Sequence, residues 1–552
     1  MLSTVWSMRG KPRLQLPLAT PRACMTVRLQ KLGLLTLFGF AVLACLIAWL
    51  NPANRTWTLA RNTVLLTGGV AAISLPTGVL LAWLLVRTDL VGRRVALGLF
   101  GVMLFVPLYL QAAAWQAGFG IQGWLPVLEG LPAWLDGWRG AIWVHAMASL
   151  PWVVLIAGGG FWFVDTELEE MALLDGSGLR VFWSTSLPAA WAAIGTAGIW
   201  VAIVTAGEMT VTDLFVVRTY AEEVYTRLSI GPQPGDPPLG LLPGVLLTVG
   251  LVMAALAVSA ECLPRDRPSG SRRPRVSRLG RWQLPTFLLV TAVLLVCVGV
   301  PLGNLAYQAG LLVVSSSTGL SRSWSLGKCL AIVVASPGRY QREFGWSLAL
   351  GSLAATASTL LGIALAWFAG RGGVRSGVVL AIVATSLAVP GPILGLGIIQ
   401  LLNQPDCPPL WFLYDQSILA PWLALMVRSL APATLILWQA LGSFPSELLD
   451  AAAIDGAGSL GRLCRVVLPN RVAALVLAWL VALAVALGDL AASILVVPAG
   501  VKTLSIEVFG LLHYGVQDQV AGICLALVAT FAAIAAAATG LILHWRGDVF
   551  EV

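Results

Sequence analysis

The sequence predicts an all-α membrane protein with twelve transmembrane helices, arranged as two tandem six-helix units. Three observations predict it. Apolar residues make up 58% of the 552 residues and charged residues only 11%, against roughly 25% charged in a soluble domain. The apolar residues fall in continuous runs of about 20, the length of helix that crosses roughly 30 Å of hydrocarbon, without the alternation a membrane barrel needs. Finally, several short patterns occur twice, in the same order and at nearly constant separation.

The first 32 residues are polar and basic (Arg9, Lys11, Arg13, Arg22, Arg28 and Lys31). The apolar run after them has no convincing small-residue cleavage site, so a retained helix is expected rather than a removed signal. Spans follow near 33–50, 63–86, 95–116, 141–163, 189–206 and 238–260, then near 285–306, 344–368, 378–402, 417–441, 470–487 and 519–543. Between the two sets lies a stretch rich in Arg, Pro, Ser and Gly, which reads as a flexible linker. The expected organisation is therefore a cytoplasmic N-terminal extension (1–32), a first unit (33–260), an Arg-rich cytoplasmic linker (261–284), a second unit (285–545) and a cytoplasmic tail (546–552).

Lys and Arg set the orientation. With the N-terminus inside, 23 of the 34 basic residues are cytoplasmic: six precede the first span, seven lie in the linker, and ten more flank inner ends of spans. Both termini are thus expected in the cytoplasm. The net charge of +8 follows from the same bias, so no nucleic-acid partner is expected. The eight cysteines form no CxxC pair, and the three histidines (His145, His513, His544) have no ligand spacing, so no metal site is expected of this chain alone.

The repeats are specific. Gly78-Val-Leu-Leu-Ala-Trp83 with Arg87 matches Gly362-Ile-Ala-Leu-Ala-Trp367 with Arg371, each 284 residues apart; Pro107 matches Pro390, Ser149-Leu-Pro151 resembles Ser429-Leu-Ala-Pro432, and Gly207-Glu208 matches Gly488-Asp489. One such match is noise. Together they indicate a duplicated six-helix unit in parallel orientation, since six is even.

Two polar islands interrupt the apolar pattern at equivalent places. In loop 164–188, Glu170-Met-Ala172-Leu-Leu-Asp175-Gly176 is closed by Leu187-Pro188; in loop 442–469, Asp450-Ala451-Ala452-Ala-Ile-Asp455-Gly456 is closed by Leu468-Pro469. In each, an acid suits a helix N-terminus, Asp-Gly supplies a turn that tolerates positive φ, and proline fits the first turn of the next span. The expected result is a helix–turn–helix along the inner face, joined rigidly to the following span.

These islands resemble the EAA loop of ABC-importer permeases, whose pattern is Glu-Ala-Ala, three residues, Gly, then Leu-Pro some dozen residues on. The second island has Asp450 in place of Glu. The first has Met171 for one Ala and is one residue shorter between Gly176 and Pro188. The resemblance covers about residues 33–545 and implies that each loop is a coupling helix seated in a cytoplasmic ABC ATPase subunit. It further implies two copies of that ATPase, an extracytoplasmic substrate-binding protein, and a bacterial plasma (inner) membrane location amid lipid. The chain has no GxxxxGK[ST], so ATP and Mg are expected to be used by the partner ATPase, with no cofactor bound here. It is therefore expected to be a transport permease, not an enzyme.

A fused twelve-helix layout resembles the ferric-iron importers most, then the thiamine importers; sulfate, molybdate and polyamine permeases share the loop. Glu208 and Asp489, at matched ends of the fifth span of each unit, and Arg428, within the tenth span, are candidate pathway groups, because charge at membrane depth is costly. The plainer alternatives are that the acids begin solvated outer loops and that Arg428 pairs with an acid. Trp115, Trp124, Trp134 and Trp138 are expected at the membrane interface. An ion-coupled secondary transporter is the competing class; it would leave the two islands without a role.

Overall fold

The computed structural model describes residues 55–230 and 276–550, except 105, 122, 131, 165, 176, 317–318, 371 and 516. The expected spans near 33–50 and 238–260 lie outside the described residues. What remains is a multi-pass helical membrane protein. Among the described residues five helices are long and apolar enough to cross a membrane, or up to nine if each bent pair counts as one span.

The first unit is built on α1 (Arg55–Arg87), the broken pair α2 (Arg93–Met103) and α3 (Leu108–Phe119), α4 (Gly137–Trp162), the loop helix α5 (Thr166–Asp175), α6 (Leu187–Ala206) and α7 (Tyr220–Ile230). The chain resumes in a long helix over Gly280–Gly310, whose last part is α8 (Val300–Gly310). A hairpin of β1 (Leu311–Ser316) and β2 (Gly319–Trp324) follows, antiparallel with Leu311 opposite Trp324, and then α9 (Leu326–Arg339). The second unit continues with α10 (Gln341–Ala369), the broken pair α11 (Val374–Ala388) and α12 (Gly391–Leu402), α13 (Leu419–Gly442), the loop helix α14 (Ser446–Ile454), α15 (Val472–Gly488), α16 (Leu504–His513) and α17 (Gln517–Phe550). The hairpin departs from a purely helical expectation.

The same packing recurs in both halves of the described residues: α1 lies on α4 and α6, and α10 on α13 and α15. Leu59, Thr63, Leu66, Val70 and Leu81 form the buried stripe of α1, at helical spacing, while Val64, Leu65 and Leu80 face outward. The outward residues are as apolar as the buried ones because both faces meet hydrocarbon or protein, never water. Lipid gives no hydrophobic drive for helix pairing, so association rests on close packing and small residues. Gly78 lets α4 approach so closely that a Cβ there would lie 2.7 Å from Val153 Cβ. At the matched Gly362 a Cβ would lie 3.1 Å from Leu437 and 3.3 Å from Thr434 N. Ser358 and Ser429 hydrogen-bond across α10 and α13 at 2.8 Å.

The units interlock. α3 packs against α8, α16 and α17, and α12 packs against α7. Trp124 donates to Asn304 Oδ1 at 3.3 Å and stacks on Tyr307. Trp115, expected at the interface, is instead buried at 3% exposure against Trp143; Trp134 and Trp138 are exposed. The linker is not loose to its end: Ser277 pairs with Thr88, and Leu279 N donates to Asp89 Oδ1 at 2.8 Å.

Gly78→Leu is expected to destabilise the α1–α4 pair by about 1–3 kcal/mol through overpacking, whereas Gly68→Leu, where nothing lies within 4 Å, should leave the melting temperature in detergent unchanged. Equal effects of the two would refute this packing account.

Candidate functional site

Both third spans are broken in the middle. α2 and α3 meet at 102°, α11 and α12 at 103°, and Pro107 and Pro390 sit at the breaks with nearly identical backbone angles. Proline removes an N–H and prevents the helix from continuing through it. The break frees carbonyls that must find partners within the protein or in the cavity they line. They are met by side chains: Gln111 Nε2 donates to Val106 O at 3.2 Å, and Arg428 Nη1 to Val389 O at 3.4 Å.

The matched ends of α6 and α15 cross to the opposite unit. A Cβ on Gly207 would lie 4.0 Å from Pro390 Cα, and one on Gly488 would lie 3.6 Å from Pro107 Cβ. Each of these helices therefore ends in van der Waals contact with the other unit's helix break. Immediately after each glycine stands the predicted acid. Glu208 accepts backbone N–H groups of Thr210 and Val211 at 2.6 and 2.9 Å. Asp489 accepts those of Ala492 and Ser493 at 3.1 and 3.2 Å. Both acids thus cap the turn that ends the span, and both have a basic partner: His145 Nε2 lies 3.4 Å from Glu208, and Arg428 Nε lies 3.3 Å from Asp489.

Glu208, Asp489 and Arg428, the three pathway candidates, line one cavity of about 200 Å³ between the units, with His145, Gln111, Ser149, Trp152 and Trp200. Neither acid begins a solvated loop; Asp489 is 8% exposed. The cavity is smaller than the roughly 300–1,000 Å³ of sites for drug-sized ligands. The two pairs are chemically unequal, because Arg428 is always charged and His145 only when protonated. Sequence reading missed His145, one helical turn out of register with Arg428 in the aligned repeats, and it missed the Trp152–Trp200 pair, 4.8 Å apart. The signal was the pairing of each fifth-span acid with a basic residue on the fourth span.

The predicted loops have the expected helix–turn–helix form, but the expected straight, rigid join to the following span is not seen: the helix entering each span bends, by 53° between Trp191 and Ala193 and by 83° at Arg471. Glu170 is exposed and Ala172 half-buried on α5; Gly176 lies outside the described residues. Asp450, Ala451 and Asp455 are exposed and Ala452 half-buried, and Gly456 holds φ +83° in open space. A five-residue π-helical turn precedes Leu187-Pro188 and Leu468-Pro469 alike, the wider turn that fits ahead of a proline ring. Large apolar side chains stand outward at matched positions: Leu168 and Leu448, and Leu174 and Ile454, the last two 87% and 86% exposed.

The described residues thus form a helical membrane protein with a small cavity between its halves and two outward-facing loops. Residues 358–550 match the sequence model of the binding-protein-dependent transport system inner membrane component family. A molybdate/tungstate transport system permease protein of Pyrococcus abyssi is 31% identical over 140 residues, 25% of this chain and 52% of that protein, so the match spans about half its length. A molybdenum transport system permease protein of Escherichia coli is 26% identical over 216 residues, 37% of this chain and 91% of that protein. No solved structure matches. The expectation of ferric iron gains no support from these relatives.

With the eight native cysteines replaced, Pro107→Cys with Gly488→Cys should form a disulfide, since the Cβ separation of 3.6 Å lies within the bonding range. After cleavage at a protease site inserted in the linker, the two halves should run together on a non-reducing gel. Separation of the halves would refute the crossed contact.

Proposed function

We propose that this chain is the whole permease of an ATP-driven importer, with both six-helix units and twelve spans on one polypeptide, carrying a small oxyanion of the molybdate class. The observation that carries the transport reading is the matched pair of loops. Each presents outward apolar and acidic residues on a short helix that leads through a Leu-Pro step toward the next span. Glu170, Ala172, Asp175, Gly176, Leu187 and Pro188 form the first coupling loop, and Asp450, Ala451, Ala452, Asp455, Gly456, Leu468 and Pro469 the second. Two cytoplasmic ATPase subunits would seat on them and use ATP and Mg, while an extracytoplasmic binding protein delivers the solute. Both termini would then be cytoplasmic.

The substrate class rests on the relatives and agrees with the size of the cavity. Glu208 and Asp489, with Arg428, would lie on the pathway. The cavity's acids balance or exceed its permanent positive charge, so it is not an anion trap; selection would rest with the binding protein. The two ion pairs are also groups that an ion-coupled transporter would use, which makes the energy source the decisive question.

Gly456→Val forces a branched side chain into a positive-φ turn. It should abolish co-purification of the ATPase and cut uptake at least tenfold while the protein still inserts. In cells lacking the native importers, the chain with its ATPase should restore uptake of labelled molybdate and not of labelled ferric iron. Uptake that survives loss of the ATPase but collapses with the proton gradient would transfer the reading to a secondary transporter.

A further inference from the structure

We infer that Arg87, Glu169 and Ser186 form a charged clamp that transmits movement of the first loop to the spans, and that the second loop is held by different chemistry. The inference rests on the coupling-loop reading above. Arg87 is the last residue of α1 and is 2% exposed. Its Nη2 lies 2.8 Å from Glu169 Oε1 on α5 and donates to Val164 O, where the chain leaves α4, at 3.1 Å. Ser186, one residue before α6, donates to the same Glu169 oxygen at 2.6 Å. One buried carboxylate therefore joins the end of the second span, the loop helix and the start of the fifth span.

The neighbouring Glu170 points outward, so the two adjacent acids divide the work: Glu170 faces the cytoplasmic side of the loop, and Glu169 faces the membrane domain. The clamp is also tied to the linker, since Arg87 O accepts from Ser277 N at 2.8 Å.

The second loop keeps the matching arginine in sequence, Arg371, which lies outside the described residues, but not its acid or its serine. At the offset of 280–281 residues, Leu449 stands for Glu169 and Val467 for Ser186. Leu449 packs with Phe444, Leu463, Val467 and Trp367 in an apolar cluster. The carbonyl where the chain leaves α13 is still gripped by an arginine, but from the other side: Arg471, before α15, donates to Ser443 O at 2.9 Å and lies over the Phe444 ring. Apolar packing can slide by small steps, whereas a buried charge pair with shared hydrogen bonds holds one register, because separating it strands a charge. The first loop is the more tightly indexed lever. Arg87 and Glu169 are positioning residues and touch no substrate.

The test uses the full chain with its ATPase subunits in lipid nanodiscs, in the Pro107→Cys, Gly488→Cys background, and reads the effect of ATP on the rate of cross-linking between the units. Arg87→Met should keep the ATPase bound and hydrolysing within about twofold of the parent, yet lose at least tenfold of the ATP-driven change in cross-linking. Arg87→Met with Glu169→Leu, which removes both charges of the pair and leaves neither stranded, should recover most of it. Ser186→Ala removes a single hydrogen bond and keeps the fold; it should weaken the response severalfold. A normal ATP response in Arg87→Met, or in Ser186→Ala should Arg87→Met fail to accumulate, overturns the clamp. Loss of the subunit in Gly456→Val tests the loop reading separately, so the two ideas fail by different results.

Discussion

A helix interrupted within hydrocarbon leaves backbone groups that lipid cannot satisfy, at a cost of several kcal/mol each. The centre of this protein is organised around two such interruptions, at Pro107 and Pro390. Each needs a polar side chain at depth, supplied by Gln111 and Arg428. Arg428 in turn needs an acid, and Asp489 is held in place by two backbone N–H groups. The residue before each acid, Gly207 or Gly488, meets the opposite unit's break at van der Waals distance. The two proline breaks, the Arg428–Asp489 pair and the ends of α6 and α15 thus meet around one cavity.

Much of this was legible in the sequence because membrane burial writes itself in composition. Continuous apolar runs marked the five to nine candidate spans found among the described residues, fewer than the twelve expected, and the repeats placed Pro107 beside Pro390 and Glu208 beside Asp489 in alignment. What could not be read was which repeated residues meet. Alignment sets Gly488 opposite Gly207, yet in space it lies on Pro107; the crossing is a property of the assembled pair. Glu169 escaped notice for a similar reason. It lies next to the family-like Glu170, and nothing local distinguishes an inward acid from an outward one until Arg87 arrives from 82 residues earlier. The hairpin at 311–324 has serines on both strands and no strict alternation, so its strands carried no period-two signal.

The two units keep the same backbone while differing in side-chain chemistry. His145 and Arg428 serve equivalent acids from positions a turn apart, and an ion pair at the first loop corresponds to an apolar cluster at the second. Geometry has been held and chemistry has drifted. That is the pattern expected when packing of helix backbones, through Gly78 and Gly362, fixes the architecture and leaves the polar contacts free to be solved twice.

The long helix over Gly280–Gly310 has a consequence for biosynthesis. Its Val290 and Cys297 belong to the same buried cluster as Leu81, Leu150 and Val153 of the first unit, and Cys297 meets Met147 at 3.8 Å. That cluster is completed by residues translated about ninety positions after α6 ends. At 5–20 residues per second, the nascent first unit waits roughly 5–20 s in the bilayer with this face uncovered. The ribosome thus delivers the last piece of the first half only after it has begun the second, and the two halves mature together.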